Sequence, residues 1–306
     1  MTRLSRRTLL RRVGYGAALG ALGWSSVRAQ PGATSRADLG GGCHVLTVGG
    51  TNCLAVVAGD GVALVDGGSR STSPALLEAV AALPQGARVH TLFNTHWHPE
   101  QTGSNETLAR TGATIVAQEN TRLWLTTDVT WPWDDQTVEP LPKAAQPTQT
   151  FYAEEELEVG GRPVRCGHLR DCPHTDGDMY VLFPDANVIA VGDAVTGRGW
   201  PEIDWWTGGW IGGIVGGIDM IFSVANADTK IVPARGPVLQ RSDLQKQYDM
   251  YSLIWERLVR TLYSGGGTAE ALAASPTKEF NDIMGEPDDF VRRAFQSLWA
   301  YLSPDA

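Results

Sequence analysis

The sequence predicts an α/β protein with two strand-rich halves, and three observations support that class. Short runs rich in Val, Leu and Ile alternate with glycine-containing turns from residue 43 onward. Segments with helix start and stop signals lie between those runs. The composition, with 42% hydrophobic and 19% charged residues among 306, excludes a disordered or coiled-coil chain. We therefore expect two sheets that face each other, with helices on the outside.

The first half begins as a strand meander and then gains helices. Ser73 and Pro74 suit an N-cap and a first helical position, so a helix is expected over 75–83, before Pro84. The other predicted elements are a helix at 105–110 and strands at 44–48, 54–58, 61–65, 89–93 and 113–117. A segment rich in Pro and Trp follows over 126–150.

The second half repeats this order and ends in helices. Strands are predicted at 151–159, 179–183, 188–191 and 230–232, with a helix inside 209–224. A capping box from Ser242 to Gln245 begins a longer helix, Gly265 ends it, and two shorter helices begin near Thr268 and Asp288. We therefore predict a helical extension over 242–306 that packs on the preceding body.

The first 29 residues have the features of an export signal. A weakly apolar stretch over 13–27 follows a cationic start, is too short to span a bilayer, and ends near Ala29. Residues 5–10, Ser-Arg-Arg-Thr-Leu-Leu, resemble the twin-arginine export motif. A general secretory signal and an uncleaved anchor are the alternatives. We predict a removable signal over 1–29, a flexible linker over 30–42, and a periplasmic or secreted protein without a stable membrane anchor.

Removal of that signal makes the chain more acidic. Without its six arginines, the 25 basic residues fall to 19 against 34 acidic ones, a net charge of −15 instead of −9. A surface this acidic repels phosphate backbones. We therefore expect no nucleic-acid partner, and the sequence makes no prediction of the oligomeric state.

Four cysteines enter the oxidising compartment that an export signal implies. They allow three disulfide pairings, and four reduced thiols are the alternative. None of them forms a metal-binding C-x-x-C, so we expect structural roles for Cys43, Cys53, Cys166 and Cys172.

Two histidines, His96 and His98, occupy alternate positions just after the strand predicted at 89–93. Such a pair can aim both imidazoles at one ion, and a third nitrogen completes a catalytic zinc site with one position open to water. His174 lies in a loop before another strand, and Asp193 ends the next strand. These residues are therefore candidate metal ligands.

Five motifs, in order over residues 43–240, resemble those of the metallo-β-lactamase-fold hydrolases. They are the Val-Asp-Gly-Gly turn at Asp66, the H-x-H-x-D-H-like run from His96 to Gln101, His174, Asp193, and the loop Pro-Ala-Arg-Gly-Pro at Arg235. The resemblance implies an αββα four-layer sandwich over 43–241, with a metal cleft at one edge and a C-terminal helical extension.

The second metal position of that family is altered in this chain. Glu100 and Gln101 replace its aspartate and histidine, and Arg235 replaces the late histidine, so Asp193 alone is kept. Arginine stays protonated and cannot bind a metal ion. Arg235 would instead place a permanent cation beside Asp193 and Glu100, which predicts an ion-paired cluster.

The unaltered residues imply one zinc at the first metal position. The candidate ligands are His96, His98, His174 and Asp193. Asp66 and Gln101 are expected to support the site.

These features predict a periplasmic mono-zinc hydrolase that cleaves an ester, thioester, lactone or amide bond of a small molecule by zinc-activated water. Glu100 or Asp193 would orient that water or act as general base, and Arg235 would stabilise an oxyanion or hold a carboxylate. One alternative is a mononuclear iron oxygenase that uses His96, His174 and Asp193. The other is a non-catalytic binding protein that retains the fold.

A group of tryptophans falls in the loops expected over the cleft. They either grip an apolar substrate there or pack on the C-terminal helices. The group comprises Trp131, Trp133, Trp200, Trp205, Trp206 and Trp210.

Overall fold

The computed structural model describes residues 34–134 and 136–302. The predicted signal over 1–29 and residues 30–33 of the predicted linker lie outside the described residues. In chain order the strands are β1 (Ser35–Gly40), β2 (Cys43–Val48), β3 (Thr51–Ala58), β4 (Gly61–Val65), β5 (Val89–Asn94), β6 (Thr114–Gln118), β7 (Val129–Thr130), β8 (Thr137–Val138), β9 (Gln149–Phe151), β10 (Glu154–Val159), β11 (Arg162–His168), β12 (Met179–Phe183), β13 (Val188–Gly192) and β14 (Lys230–Pro233).

The helices lie mostly between the strands of the first half and after those of the second. They are α1 (Ser73–Ala81), α2 (Pro99–Thr102), α3 (Asn105–Arg110), α4 (Glu119–Trp124), α5 (Ile211–Val224), α6 (Arg241–Tyr263), α7 (Thr268–Ala273), α8 (Asn281–Met284) and α9 (Asp288–Leu302). Two short 3₁₀ helices occupy Lys143–Ala145 and Trp205–Thr207.

Two sheets contain all but two of these strands. The seven-stranded sheet has the order β1-β2-β3-β4-β5-β6-β9, antiparallel as far as β4 and parallel beyond it. The five-stranded sheet has the order β10-β11-β12-β13-β14 and is antiparallel except for its β13–β14 pair. β7 and β8 form a separate hairpin. The predicted two-sheet α/β architecture is confirmed.

Apolar side chains fill the spaces between the layers. Side chains from both sheets form one buried cluster, which includes Val56 and Val65 of the first sheet and Val181 and Phe183 of the second. A second cluster joins the first sheet to α1, where Leu76 is fully buried. A third joins the second sheet to α5, α6 and α9. The layers therefore follow the predicted order of helix, sheet, sheet and helix.

The linker predicted over 30–42 is wrong over Ser35–Gly40, which forms strand β1. This strand pairs antiparallel with β2, from Ser35 opposite Thr47 to Gly40 opposite Cys43. Its side chains are mostly exposed because β1 lies at the edge of the sheet and is held by backbone hydrogen bonds. Its residues therefore carry no apolar pattern, which is why the sequence indicated a linker.

The strand predicted over 151–159 is two strands in different sheets. β9 ends at Phe151 in the first sheet, and β10 begins at Glu154 in the second. β10 then turns into β11, which was not predicted, through Gly160 and Gly161 with φ of 55° and 78°. Two consecutive positive φ values are typical of a two-residue hairpin. The alternation of apolar and polar residues that marks a strand is weak in β11, because arginines, a proline and a glycine interrupt it. The segment is nevertheless a strand, because it pairs with both β10 and β12.

The C-terminal helices pack directly on the second sheet and on α5. Leu244, Tyr251 and Ile254 of α6 are fully buried in that contact. The capping box of α6 uses Gln240 and Asp243, two residues before the predicted pair, because the helix begins at Arg241. Among the described residues, no helix combines the length and apolarity needed to cross a membrane. The division of the chain at residue 241 stays a prediction.

All four cysteines are unpaired thiols. Three are buried in the sheets, and Cys172 is partly exposed. Burial raises the pKa of the Cys43 thiol to about 11, so this side chain stays neutral and behaves as a small apolar residue. The structure thus corresponds to the reduced alternative.

Candidate metal centre

The three predicted histidines meet where the two sheets come together. His96 and His98 lie between the end of β5 and the start of α2, and His174 lies in the loop from β11 to β12. All three side chains are buried, and one ligand atom from each lies within 4.8 Å of the others. The ring centroids are separated by 4.6 to 4.9 Å with near-perpendicular planes. The structure therefore brings these three predicted ligands together.

Two strands of the second sheet come very close to the loop after β5 at this point. Gly192 ends β13 with a φ of 56°, and a Cβ at this residue would lie 2.4 Å from Thr95 Oγ1. The backbone N–H of Met179 also donates to the carbonyl of Thr95 at 2.9 Å. Glycine at 192 thus lets β13 approach the loop that carries His96.

Each imidazole is oriented by an oxygen at its outer nitrogen. His96 Nδ1 lies 3.1 Å from Thr95 Oγ1. His98 Nε2 lies 2.9 Å from Asp204 Oδ2, and His174 Nδ1 lies 2.9 Å from the carbonyl of Glu202. The inner nitrogens are then His96 Nε2, His98 Nδ1 and His174 Nε2, and the last two are 3.1 Å apart. Such outer partners select the tautomer and ring orientation that a metal requires.

The inner nitrogens fit a metal cation. His96 Nε2 is buried and makes no hydrogen bond within the described part of the chain. A buried nitrogen without a partner is costly unless an ion or another group satisfies it. Burial, together with the neighbouring His174, His98 and Arg235, lowers the pKa of His96 well below its ordinary value, so its imidazole is neutral as a ligand must be.

Asp204 is a site residue that the sequence did not reveal. Its carboxylate is fully buried and accepts hydrogen bonds from His98 Nε2, Trp131 Nε1, and the hydroxyl and backbone N–H of Thr207. Burial alone would raise the pKa of Asp204, but these donors lower it to about 2. Burial would likewise lower the pKa of His98, and Asp204 raises it. The Asp-x-x-Thr capping pattern at 204–207 was the signal available in the sequence.

The predicted ion pair between Asp193 and Arg235 is present beside the histidines. Arg235 Nε lies 3.4 Å from Asp193 Oδ1, and Gln101 Nε2 donates to Asp193 Oδ2 at 3.1 Å. Asp193 Oδ2 is also 3.7 Å from His96 Nε2. The Asp193 charge, more than any other, raises the pKa of Arg235, so the guanidinium is a permanent cation at this place.

The predicted third member of that cluster, Glu100, is replaced by Glu202. Glu100 is exposed at the start of α2, and among the described residues it forms no ion pair with Arg235 within 4 Å. Glu202 Oε2 lies 3.7 Å from an Arg235 terminal nitrogen instead. The sequence did not identify Glu202, because it lies in a loop between predicted elements.

Asp66 contacts the site indirectly, through Thr95. Its carboxylate accepts hydrogen bonds from the backbone N–H of Thr95 at 2.8 Å and from the Thr95 hydroxyl. The same hydroxyl contacts His96 Nδ1, so Asp66 acts on the first histidine through Thr95. This geometry agrees with the supporting role expected for Asp66.

The tryptophans form two groups, one beside His98 and one against helix α9. Trp131 stacks on Trp97 at 5.4 Å, and Trp133 contacts Trp205 at 5.4 Å, which forms an aromatic wall beside His98. Trp200 stacks on Phe290 and Trp210 on Tyr301, so these two pack on α9. Trp206 touches Trp205 and is half exposed.

Comparison with known proteins places this geometry in a family. The sequence model of the metallo-beta-lactamase superfamily matches residues 46–265. A search of curated protein sequences gave no match.

Solved structures similar to this chain include metallo-beta-lactamases. One from Pontibacter korlensis has a TM-score of 0.57 at 17% identity and covers 72% of this chain and 99% of its own. DIM-1 metallo-beta-lactamase exposed to ceftazidime has a TM-score of 0.55 at 16% identity and covers 73% and 98%. Metallo-beta-lactamase IND-7 has a TM-score of 0.55 at 17% identity and covers 71% and 97%. The chain belongs to the metallo-beta-lactamase superfamily, and it carries a histidine-rich metal-binding site in the hydrolase-type fold of that family.

Proposed function

We propose that this chain is an exported, periplasmic mono-zinc hydrolase that cleaves an ester, thioester, lactone or amide bond of a small molecule. One observation carries the proposal. Three imidazole nitrogens converge, while the position beside them is filled by the Asp193–Arg235 ion pair. Export is supported by the predicted signal over 1–29, which lies outside the described residues.

The donor set favours zinc. Three neutral imidazoles suit a tetrahedral zinc with a fourth position open to water or substrate. When bound, zinc acts as a Lewis acid toward a substrate carbonyl and lowers the pKa of water toward 7. His96, His98 and His174 would hold it, and Arg235 keeps a second dication away by charge repulsion.

Asp193 is better placed than Glu100 to move a proton. The Oδ2 atom of Asp193 lies 3.7 Å from His96 Nε2, and the Asp193 side chain is only 8% exposed. Glu100, in contrast, is exposed to solvent at the start of α2. In the proposed reaction Asp193 Oδ2 accepts a proton from the attacking water and returns it to the leaving group. Gln101 holds this oxygen in place by its amide N–H.

Arg235 supplies positive charge to the substrate. Its side chain is 43% exposed, and its contacts with Asp193 and Glu202, at 3.4 and 3.7 Å, are longer than hydrogen bonds. N–H groups therefore remain able to donate to an oxyanion or a carboxylate in the cleft. The aromatic wall of Trp131, Trp133 and Trp205 gives the cleft an apolar side next to His98.

Metal analysis of the protein starting at residue 30 tests this proposal. We expect one zinc per chain, and His174→Ala should remove it because two imidazoles and a distant carboxylate leave an incomplete site. His90→Ala is the matched control, since His90 lies near the opposite end of β5 and bonds the carbonyl of Ala58. Its metal content should be unchanged.

The competing functions predict other outcomes in the same preparation. Iron in place of zinc would contradict the hydrolase and favour the oxygenase that uses His96, His174 and Asp193. An inability to take up metal would favour the non-catalytic binding protein. Hydrolysis of generic p-nitrophenyl esters and lactams, lost in His174→Ala and kept in His90→Ala, would support the proposed reaction class.

A further inference from the structure

Helix α9 lies beyond residues 46–265, where the superfamily match ends, yet one of its side chains reaches toward the metal centre. Arg293 is 15% exposed, and its guanidinium donates to Glu202 Oε1 at 3.3 Å and to Asp289 Oδ2 at 2.9 Å. The guanidinium carbon also lies 4.5 Å from the ring centroid of Trp133. Two carboxylates and an aromatic face thus hold this arginine in one orientation.

The first connection from Arg293 to the metal centre runs through Glu202. The carboxylate of Glu202 lies between Arg293 and Arg235, and its backbone carbonyl lies 2.9 Å from His174 Nδ1. The backbone N–H of Asp204 also donates to the carbonyl of His174 at 3.1 Å. Fixing the side chain of Glu202 therefore fixes the loop that orients the third histidine.

A second connection runs through the aromatic wall. Trp133, which lies under Arg293, is stacked with Trp131 at 6.3 Å. Trp131 Nε1 donates to Asp204 Oδ2 at 2.9 Å, and the same oxygen lies 2.9 Å from His98 Nε2. The two connections end on different histidines, and Arg293 is the residue common to both.

We propose that the C-terminal extension completes the metal centre, with Arg293 as a positioning residue that holds His174 through Glu202 and His98 through Trp133. Arg293 touches neither the metal site nor the reacting atoms, so it acts only by restricting the residues that do. This inference rests on the metal site of the proposed function, and it adds a part of the chain that the superfamily match does not include.

Charge and position make opposite predictions for Arg293, which allows them to be separated. If only its charge mattered, loss of a nearby cation would strengthen binding of a metal dication, and a lysine would behave as the arginine does. If position matters, Arg293→Lys and Arg293→Gln both weaken binding. The guanidinium of Arg293 donates to Glu202 and Asp289 while its flat face lies on Trp133. Lysine keeps the charge, but its ammonium has no flat face and cannot keep all three contacts at once.

Zinc affinity, measured by competition with a chromophoric chelator, gives the readout. We expect Arg293→Lys to bind zinc roughly 3- to 10-fold more weakly, less than the 10- to 100-fold typical for a direct partner of a ligand. Arg292→Lys is the matched control, because Arg292 is the exposed neighbour on the same helix, and its affinity should equal that of the wild type. Thermal unfolding of each variant establishes that the fold is kept.

Two further variants test the connections themselves. In a Glu202→Gln background, Arg293→Lys should weaken zinc binding by a smaller factor than it does in the wild type, because only the connection through Trp133 is then left to lose. Trp133→Leu changes no charge and should weaken zinc binding through the second connection, which keeps the test valid if Arg293→Lys unfolds.

The outcomes separate this inference from the proposed function. Unchanged affinity in Arg293→Lys, or tighter binding in Arg293→Gln, would overturn the positioning role while leaving the zinc site intact. The expected losses of affinity in a protein without hydrolase activity would support the role and contradict the hydrolase. Failure of the wild type to bind zinc would overturn both.

Discussion

Asp204→Asn is the substitution by which the organisation of this site is tested most directly. The carboxylate of Asp204 is fully buried, and four hydrogen-bond donors converge on it from His98, Trp131 and Thr207. Oδ2 alone accepts three of them. An asparagine at 204 has one accepting oxygen and one donating NH₂ group. Because donors lie on both sides of the carboxylate, the NH₂ group must face another donor in either orientation.

The pKa of Asp204 gives the size of the effect. Lowering this pKa from its ordinary 3.8 to about 2 corresponds to about 2.5 kcal/mol of folding free energy at neutral pH. Asparagine restores one accepting oxygen but leaves at least one buried donor without a partner, which costs about 1–3 kcal/mol. We therefore expect metal-free Asp204→Asn to be about 2–3 kcal/mol less stable.

The pH dependence follows from the two pKa shifts of the pair. The pKa of Asp204 is lowered in the fold, so its stabilisation is present above its ordinary value and is lost as the pH falls toward 2. The pKa of His98 is raised, so its contribution is present below 6.5 and is lost as the pH rises through the raised value. The difference between wild type and variant should therefore be largest between about pH 4 and pH 6.5.

Urea unfolding in the presence of a chelator, at pH 6 and pH 3, measures this difference. Asp228→Asn is the control, because Asp228 is exposed and should change stability by less than about 0.5 kcal/mol. Zinc affinity of Asp204→Asn should also fall about 10- to 100-fold, since Asp204 orients a ligand directly. A variant as stable as wild type at pH 6 would refute the organising role of this carboxylate.

Three other predictions concern the neighbouring charge, the core and the thiols. Arg235→His should raise the metal content from one ion toward two, because it exchanges a cation for a ligand beside Asp193; a constant single ion would contradict this. Phe183→Ala, between the sheets, should lower the free energy of unfolding by about 3–5 kcal/mol, against about 0.5 kcal/mol or less for the exposed Tyr152→Ala. Ellman's reagent at pH 8 should label at most Cys172 before unfolding and all four thiols afterwards; rapid labelling of a second thiol would disprove their burial.

The fold was largely predictable because the core strands carry their own signals. Gly61–Val65 and Met179–Phe183 are uninterrupted apolar runs bounded by turn residues, and their ends were predicted correctly. β1 and β11 lacked that signal. Their residues are small or charged, and they are strands because an adjacent strand offers them backbone partners.

The histidine cluster was predictable for a related reason. His96 and His98 share one side of a loop that follows a buried strand, so their convergence is a local property. Glu202 and Asp204 were missed because their partners are 28 and 106 residues away along the chain. No short-range pattern contains such a contact.

The sequence alone indicated the two-sheet body through strand periodicity, and it indicated the family and the three imidazoles through five ordered motifs that resemble those of the metallo-β-lactamase fold. Only the tertiary structure decided which carboxylates serve them. In the folded chain Glu202, not Glu100, is the second partner of Arg235, and Arg293 of the last helix also pairs with Glu202. Charged side chains in loops take their partners from whatever the packed layers place beside them, and that arrangement exists only once the chain has folded.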